Sequence, residues 1–157
     1  MPKIHVTTFV AAPVQRVFDL SRSINLHTIS TPGTNEKAIA GTMSGLINLN
    51  ETVTWQARHL FKTRTFTSKI TAMNAPADFT DEMVKGDFKQ FTHHHHFKPI
   101  QNGTIMIDVL FFESPFGIIG RWSNKIFLTR YLQRFLTKRN NVIKEYAETG
   151  KWKTILI

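Results

Sequence analysis

The segment Asp81–Phe97, DEMVKGDFKQFTHHHHF, decides how the chain folds. It reads as the end of one strand, Phe79–Lys85, and most of a second, Phe88–Pro99, with a turn at Gly86-Asp87. So short a connection makes the two strands antiparallel neighbours. The pattern extends in both directions. Glu51–Leu60, Thr63–Met73 and Thr104–Glu113 also run with period two, with turn signals at Asn74-Ala75-Pro76 and Asn102-Gly103. Upstream, Lys3–Val10 reads as a strand. Two short helical pieces follow, one entered at Pro13 and one over Ser23–Ile29, and then a weak strand near Lys37–Ala40. From about Gly117 or Ile118 to Gly150 the apolar residues recur at helical spacing, with Arg130, Arg134, Lys138 and Lys144 on the other side.

A bent antiparallel sheet with one apolar face needs a cover, and only the C-terminal helix is long enough to supply it. The expected architecture is α+β. About seven antiparallel strands wrap the long C-terminal helix, and the two short helices after the first strand plug an end. Residues 1–149 form one domain, and 150–157, GKWKTILI, an apolar tail. Trp152, Ile155, Leu156 and Ile157 are too apolar for a frayed end. They are expected to pack on the sheet, on the helix or on a second copy, giving a monomer or a weak homodimer.

Composition narrows the function classes. The 157 residues contain thirteen Phe and no Cys, enough to bury about two-thirds of the unfolded surface. Disulfides and thiolate chemistry are excluded. Lys3 and His5 interrupt any signal-peptide core, and no stretch is long enough to span a bilayer, so a cytoplasmic location is expected. The net charge is +9. The basic residues are dispersed, without a glycine–arginine tract, zinc-finger spacing or RNA-binding aromatic signature. That favours neither nucleic acid nor stable membrane association, and makes the basic helix face a solvated exterior.

In a strand, alternate side chains share a face, so Phe91, His93, His95 and Phe97 point inward while Thr92, His94, His96 and Lys98 point out. Residues two apart on one face are roughly 6.5–7 Å apart, so His93 and His95 would share a metal only with a third ligand from a neighbouring strand. Glu82, Asp108 and His59 are the candidates. The plainer reading is a pair of cavity histidines satisfied by hydrogen bonds, with no metal and no cofactor. Asp108 shares a face with Met106, Leu110 and Phe112, but the opposite face, Ile105, Ile107, Val109 and Phe111, is equally apolar. Val53, Trp55, Ala57 and His59 share one face of the central strand. The loop 41–50 and the turn 114–117 are expected near an opening.

Several stretches together resemble the SRPBCC, or START-like, superfamily, kin of the polyketide cyclase/dehydrase and birch-pollen-allergen groups. They are FVAAPVQRVFDLSRSINLH (9–27), GLINLNETVTWQARHL (45–60), TSKIT (67–71), the segment quoted first, and GTIMIDVLFFESPFGIIG (103–120). The resemblance runs to about Glu148. It implies a helix-grip fold, places His93, His95 and Phe97 in an H-x-H-x-F pattern, and turns Asp108 inward. It also implies an internal cavity for a small hydrophobic or amphipathic ligand of lipid, polyketide or isoprenoid class. Trp55, His59, Phe91, His93, His95, Met106, Asp108, Leu110, Trp122 and Ile126 would line that cavity. No nucleophile elbow, paired-carboxylate motif, phosphate loop or metal helix is present. The alternative, a small cyclase or dehydratase, would rest on His93, His95, Asp108 and Glu82 acting by proton transfer.

Overall fold

A computed structural model describes residues 2–59, 61–114 and 125–156. In chain order its elements are β1 (Lys3–Val10), α1 (Val14–Ser21), α2 (Ile24–Ile29), β2 (Lys37–Gly41), β3 (Thr52–His59), β4 (Lys62–Asn74), β5 (Asp78–Lys85), β6 (Gln90–Ile100), β7 (Gly103–Glu113) and α3 (Lys125–Glu148). The expected helix start near residue 117, the turn 115–117 and Trp122 lie outside the described residues.

The seven strands form one antiparallel sheet in the order β1-β7-β6-β5-β4-β3-β2. Each neighbouring pair from β2 to β7 is consecutive in sequence, as short turns require. β1 closes on β7, so α1 and α2 carry the chain from one sheet edge to the other. Pro13 precedes α1 in an extended conformation, and the Ser23 side chain caps α2 by accepting from Leu26 N. Register shifts between β2 and β3 and twice between β4 and β5 insert unpaired residues, which bend strands and strengthen their twist. At the β6–β7 turn a Cβ on Gly103 would lie 2.2 Å from the Val10 carbonyl oxygen, so only glycine lets this hairpin meet β1.

β7 settles the parity that its sequence leaves open. Thr104, Met106, Asp108, Leu110 and Phe112 are all buried, and the residues between them are only half-buried. Two apolar clusters fill the concave side. One gathers Phe18 and Leu20 of α1 with Phe79, Phe97 and Met106, and the other joins Ile4, Leu110 and Phe112 to Leu128, Leu132 and Leu136 of α3. Beyond α3 the residues Gly150–Thr154 make a 3-10 turn, and Trp152, Ile155 and Leu156 pack on the first cluster. The Arg16 guanidinium lies over the Trp152 ring at 4.2 Å.

Candidate functional site

Between the sheet and α3 lies a cavity of about 200 Å³. Its walls are largely apolar, with Trp55 from β3, Phe66 from β4, Phe91 from β6 and Phe135 from α3 among them. Phe66 packs edge-on against Phe91, with ring centroids 5.1 Å apart. Polar groups collect in two places, one under the middle of β6 and the other beside β2.

The first group follows from strand register. Asp81 of β5 pairs with His93 of β6, and His95 pairs with Asp108 of β7, so two acids flank two imidazoles on the inner face. His93 Nε2 lies 2.8 Å from Asp108 Oδ1, and His95 Nε2 lies 2.6 Å from Asp81 Oδ2. Carboxylates only accept, so both Nε2 atoms carry the proton. His95 Nδ1 is 3.3 Å from Asp108 Oδ1 but is not aligned for a hydrogen bond. From α3, Asn140 Nδ2 donates to Asp108 Oδ2 at 2.7 Å, and Arg139 places Nη1 3.6 Å from Asp108 Oδ1. Arg139 is fixed in turn by Asn140 Oδ1 and by the carbonyl of Ser21, and Ser68 Oγ donates to Asp81 Oδ1.

Burial alone would raise both acids, yet their histidine partners and Arg139 hold Asp81 below, and Asp108 well below, the usual carboxylate range. Burial lowers His93, the neighbouring His95 adds to that, and Asp108 only partly offsets them, so His93 stays neutral. Burial also acts to lower His95, but the carboxylates on either side outweigh it and its pKa rises. Two carboxylates thus face the Arg139 guanidinium and a His95 whose protonated form they favour. Asp81, His93 and His95 also each present one ligand atom within 4.8 Å of the others. Two imidazoles and a carboxylate are a donor set that zinc or iron accepts. A cation there would have to displace the proton held between His95 and Asp81, close to a guanidinium.

The second group lies beside β2. Glu36 Oε1 accepts from His27 Nε2 at 2.8 Å, and the His27 ring tilts against Trp55 at 4.3 Å. His59 Nδ1 is in a close hydrogen bond with the Tyr131 hydroxyl. Burial lowers the His59 pKa, and Glu36 only partly opposes it. Arg64 pairs with Asp87 and ties the β5–β6 turn to β4. The loop after β2 is held to α2, because Ile24 N donates to the Gly45 carbonyl and Gly45 N to Asn25 Oδ1.

Of the residues expected to line the cavity, Trp55, His59, Phe91, His93, His95 and Leu110 do so. Asp108 stands behind the histidines and accepts from His93 Nε2. Met106 is not a lining residue; it is fully buried under α1, where Ser21 Oγ reaches its sulfur. Ile126 is 68% exposed. It sits two residues before buried Leu128, about 200° round the helix and so on the opposite face. Glu82 is also corrected. It shares the outer face with Thr80 and meets Thr92 Oγ1 at 3.5 Å, while its neighbour Asp81 supplies the inward acid. Sequence reasoning missed Asp81, Arg139, Asn140, His27 and Glu36. Counting by twos from Phe79 selects Asp81, and the step from Leu136 to Ile143 passes through 139 and 140.

No protein-family model matches the chain, and no curated protein is similar to it in sequence. Solved structures are similar in shape. A crystal structure of a protein from Thermus thermophilus superposes with TM-score 0.75 at 16% identity, covering 93% of this chain and 97% of that one. Ara h 8.0201 gives 0.67 at 12%, over 93% and 97% of the two chains. Major latex-like protein 151 of Panax ginseng gives 0.66 at 15%, over 94% and 98%. Identities this low carry the fold alone. Among the described residues no helix is long and apolar enough to cross a membrane. With its seven-stranded antiparallel sheet, long C-terminal helix and two short helices after the first strand, the chain has the helix-grip fold that its resemblance to the SRPBCC, or START-like, superfamily implies.

Proposed function

We propose that the chain binds a small hydrophobic or amphipathic molecule in the cavity between the sheet and α3. One observation carries this reading: a mainly apolar hollow with buried imidazole and carboxylate groups clustered under β6 and beside β2. Ligand sites combine apolar walls with a few placed polar groups in this way. The volume of about 200 Å³ falls below the roughly 300–1,000 Å³ of drug-sized sites. A compact ring system or a short isoprenoid or polyketide unit therefore suits it better than a long acyl chain. Native mass spectrometry after gentle extraction, followed by displacement of an apolar dye, tests the proposal. Ala57 is a small residue in the cavity wall, so Ala57→Leu should abolish dye binding without loss of stability. If the variant instead loses about 1–3 kcal/mol, as overpacking a filled core does, or binds dye as before, the reading fails.

A second reading, a small cyclase or dehydratase, draws on the convergence of His93, His95, Asp108 and Asp81. Two adjacent imidazoles whose pKa values are pushed apart, His93 down and His95 up, offer a base and an acid for proton transfer. The same mass spectra bear on it, since a dehydratase would release its ligand lighter by one water.

A further inference from the structure

The two polar places in the cavity are closed to different degrees. Under β6 both oxygens of Asp81 and both of Asp108 have partners, and the unbonded His95 Nδ1 is turned to Asp108 Oδ1 at 3.3 Å. Beside β2 only half of a carboxylate is used. Glu36 lies between the turn at Pro32–Thr34 and β2, lines the cavity, and has a side chain only 8% exposed. Oε1 is held by His27, but Oε2 is buried and has no hydrogen-bond partner.

Burial pushes this carboxyl up. The charge and hydrogen bond of His27 lead the opposing effects, and the group is held below its usual range. The charge of His59 adds to them, as does the nearby Thr31 hydroxyl, which is directed to the carbonyls of His27 and Thr28 and leaves Oε2 without a bond. Glu36 is therefore an anion at neutral pH with an unused acceptor edge. An unmatched buried acceptor is costly, and hydrogen bonds to a charged acceptor are among the stronger ones in proteins. A buried group left half-satisfied invites explanation by a missing partner. Trp55 and Phe135 line the same cavity and offer flat apolar surface to a ring.

The geometry points to Glu36 Oε2 as the anchor for the polar end of the bound molecule, which must then carry a hydrogen-bond donor, a hydroxyl or an amine. A carboxylate end, which only accepts, would face Oε2 with like charge. This assignment rests on the cavity being a ligand site. It names the class of ligand: an apolar ring or short chain ending in an alcohol or amine, and not a free acid.

Four probes sharing one skeleton test it by calorimetry: 2-methylnaphthalene, 2-naphthylmethanol, 2-naphthylmethylamine and 2-naphthoate. The alcohol, the amine or both should bind about 10- to 100-fold tighter than the methyl compound, the range expected for a hydrogen bond to a charged group, and the naphthoate weaker than it. Which donor binds better separates hydroxyl from amine. Glu36→Gln, close in shape but neutral, should erase that preference. If all four bind alike, or the naphthoate equals the alcohol and amine, the anchor is overturned while the cavity reading stands. If none binds, 2-methylnaphthalene included, both fall. The wild-type ranking decides even if Glu36→Gln does not fold.

Discussion

Strand β6 carries four consecutive histidines, and its two faces put them to different uses. His93 and His95 are 6% and 3% exposed, their ring centroids 3.7 Å apart, and each is hydrogen-bonded to a carboxylate from a neighbouring strand. His96 stands in solvent, and half-buried His94 meets the Thr80 hydroxyl at 2.9 Å. The residue type is the same, the backbone is the same, and only the pleat differs. Inward placement turns an imidazole into a member of a hydrogen-bonded network, because water is excluded and each proton must have an owner. Outward placement leaves an ordinary surface side chain.

Removing the charge at the centre of the inner network should have the largest effect. Asp108 is 0% exposed and accepts from both His93 and Asn140. Asp108→Asn would leave Arg139 and His95, whose pKa is raised, facing one carboxylate. Urea unfolding should show a loss of about 3–5 kcal/mol, typical of an uncompensated buried charge. The matching change on the outer face, Glu82→Gln, should stay within about 0.5 kcal/mol. Similar losses for the two acids would break the contrast between the faces.

The inner pair should also split in its response to pH. The pKa of His95 is raised above the ordinary 6.5, so its stabilisation is fully present below 6.5 and is lost as pH rises through the folded value. His93 is lowered, so its contribution is present above 6.5 and is lost as pH falls through its folded value. The stability gap between wild type and His95→Gln should therefore be widest in mild acid and narrow with rising pH. The gap for His93→Gln should do the reverse. Imidazole titrations followed by NMR should place His95 above and His93 below 6.5. Parallel gaps, or coincident titrations, would mean that the two rings share one environment.

Period two and turn chemistry made the sheet and its helical cover legible, and within β6 the aromatic flanks Phe91 and Phe97 picked the correct histidines. In β5 the adjacent acids Asp81 and Glu82 give each face one carboxylate, so only the parity of buried Phe79 distinguishes them. In α3, Arg139 and Asn140 look like solvent residues by type, although their spacing from Leu136 and Ile143 puts them on the buried stripe. Glu36 follows an irregular turn with no period to count from. Its place in the cavity is a product of tertiary packing alone.

The smallest effect expected is from the outer histidines. The double change His94→Thr and His96→Thr keeps two β-favouring residues on the strand and removes the contact to Thr80, the ring packing of His94 on Phe111 and the loose stack of the two imidazoles. A half-exposed hydrogen bond exchanges readily with water, so denaturant unfolding should change by no more than about 1 kcal/mol for the pair. Dye binding should be unchanged, and so should the His93 and His95 resonances, because β6 itself separates the two sets of rings. If the double variant instead lost as much stability as His95→Gln, or moved the inner resonances, the four histidines would have to be treated as one coupled unit. The pleat of a single strand would then not be what divides them.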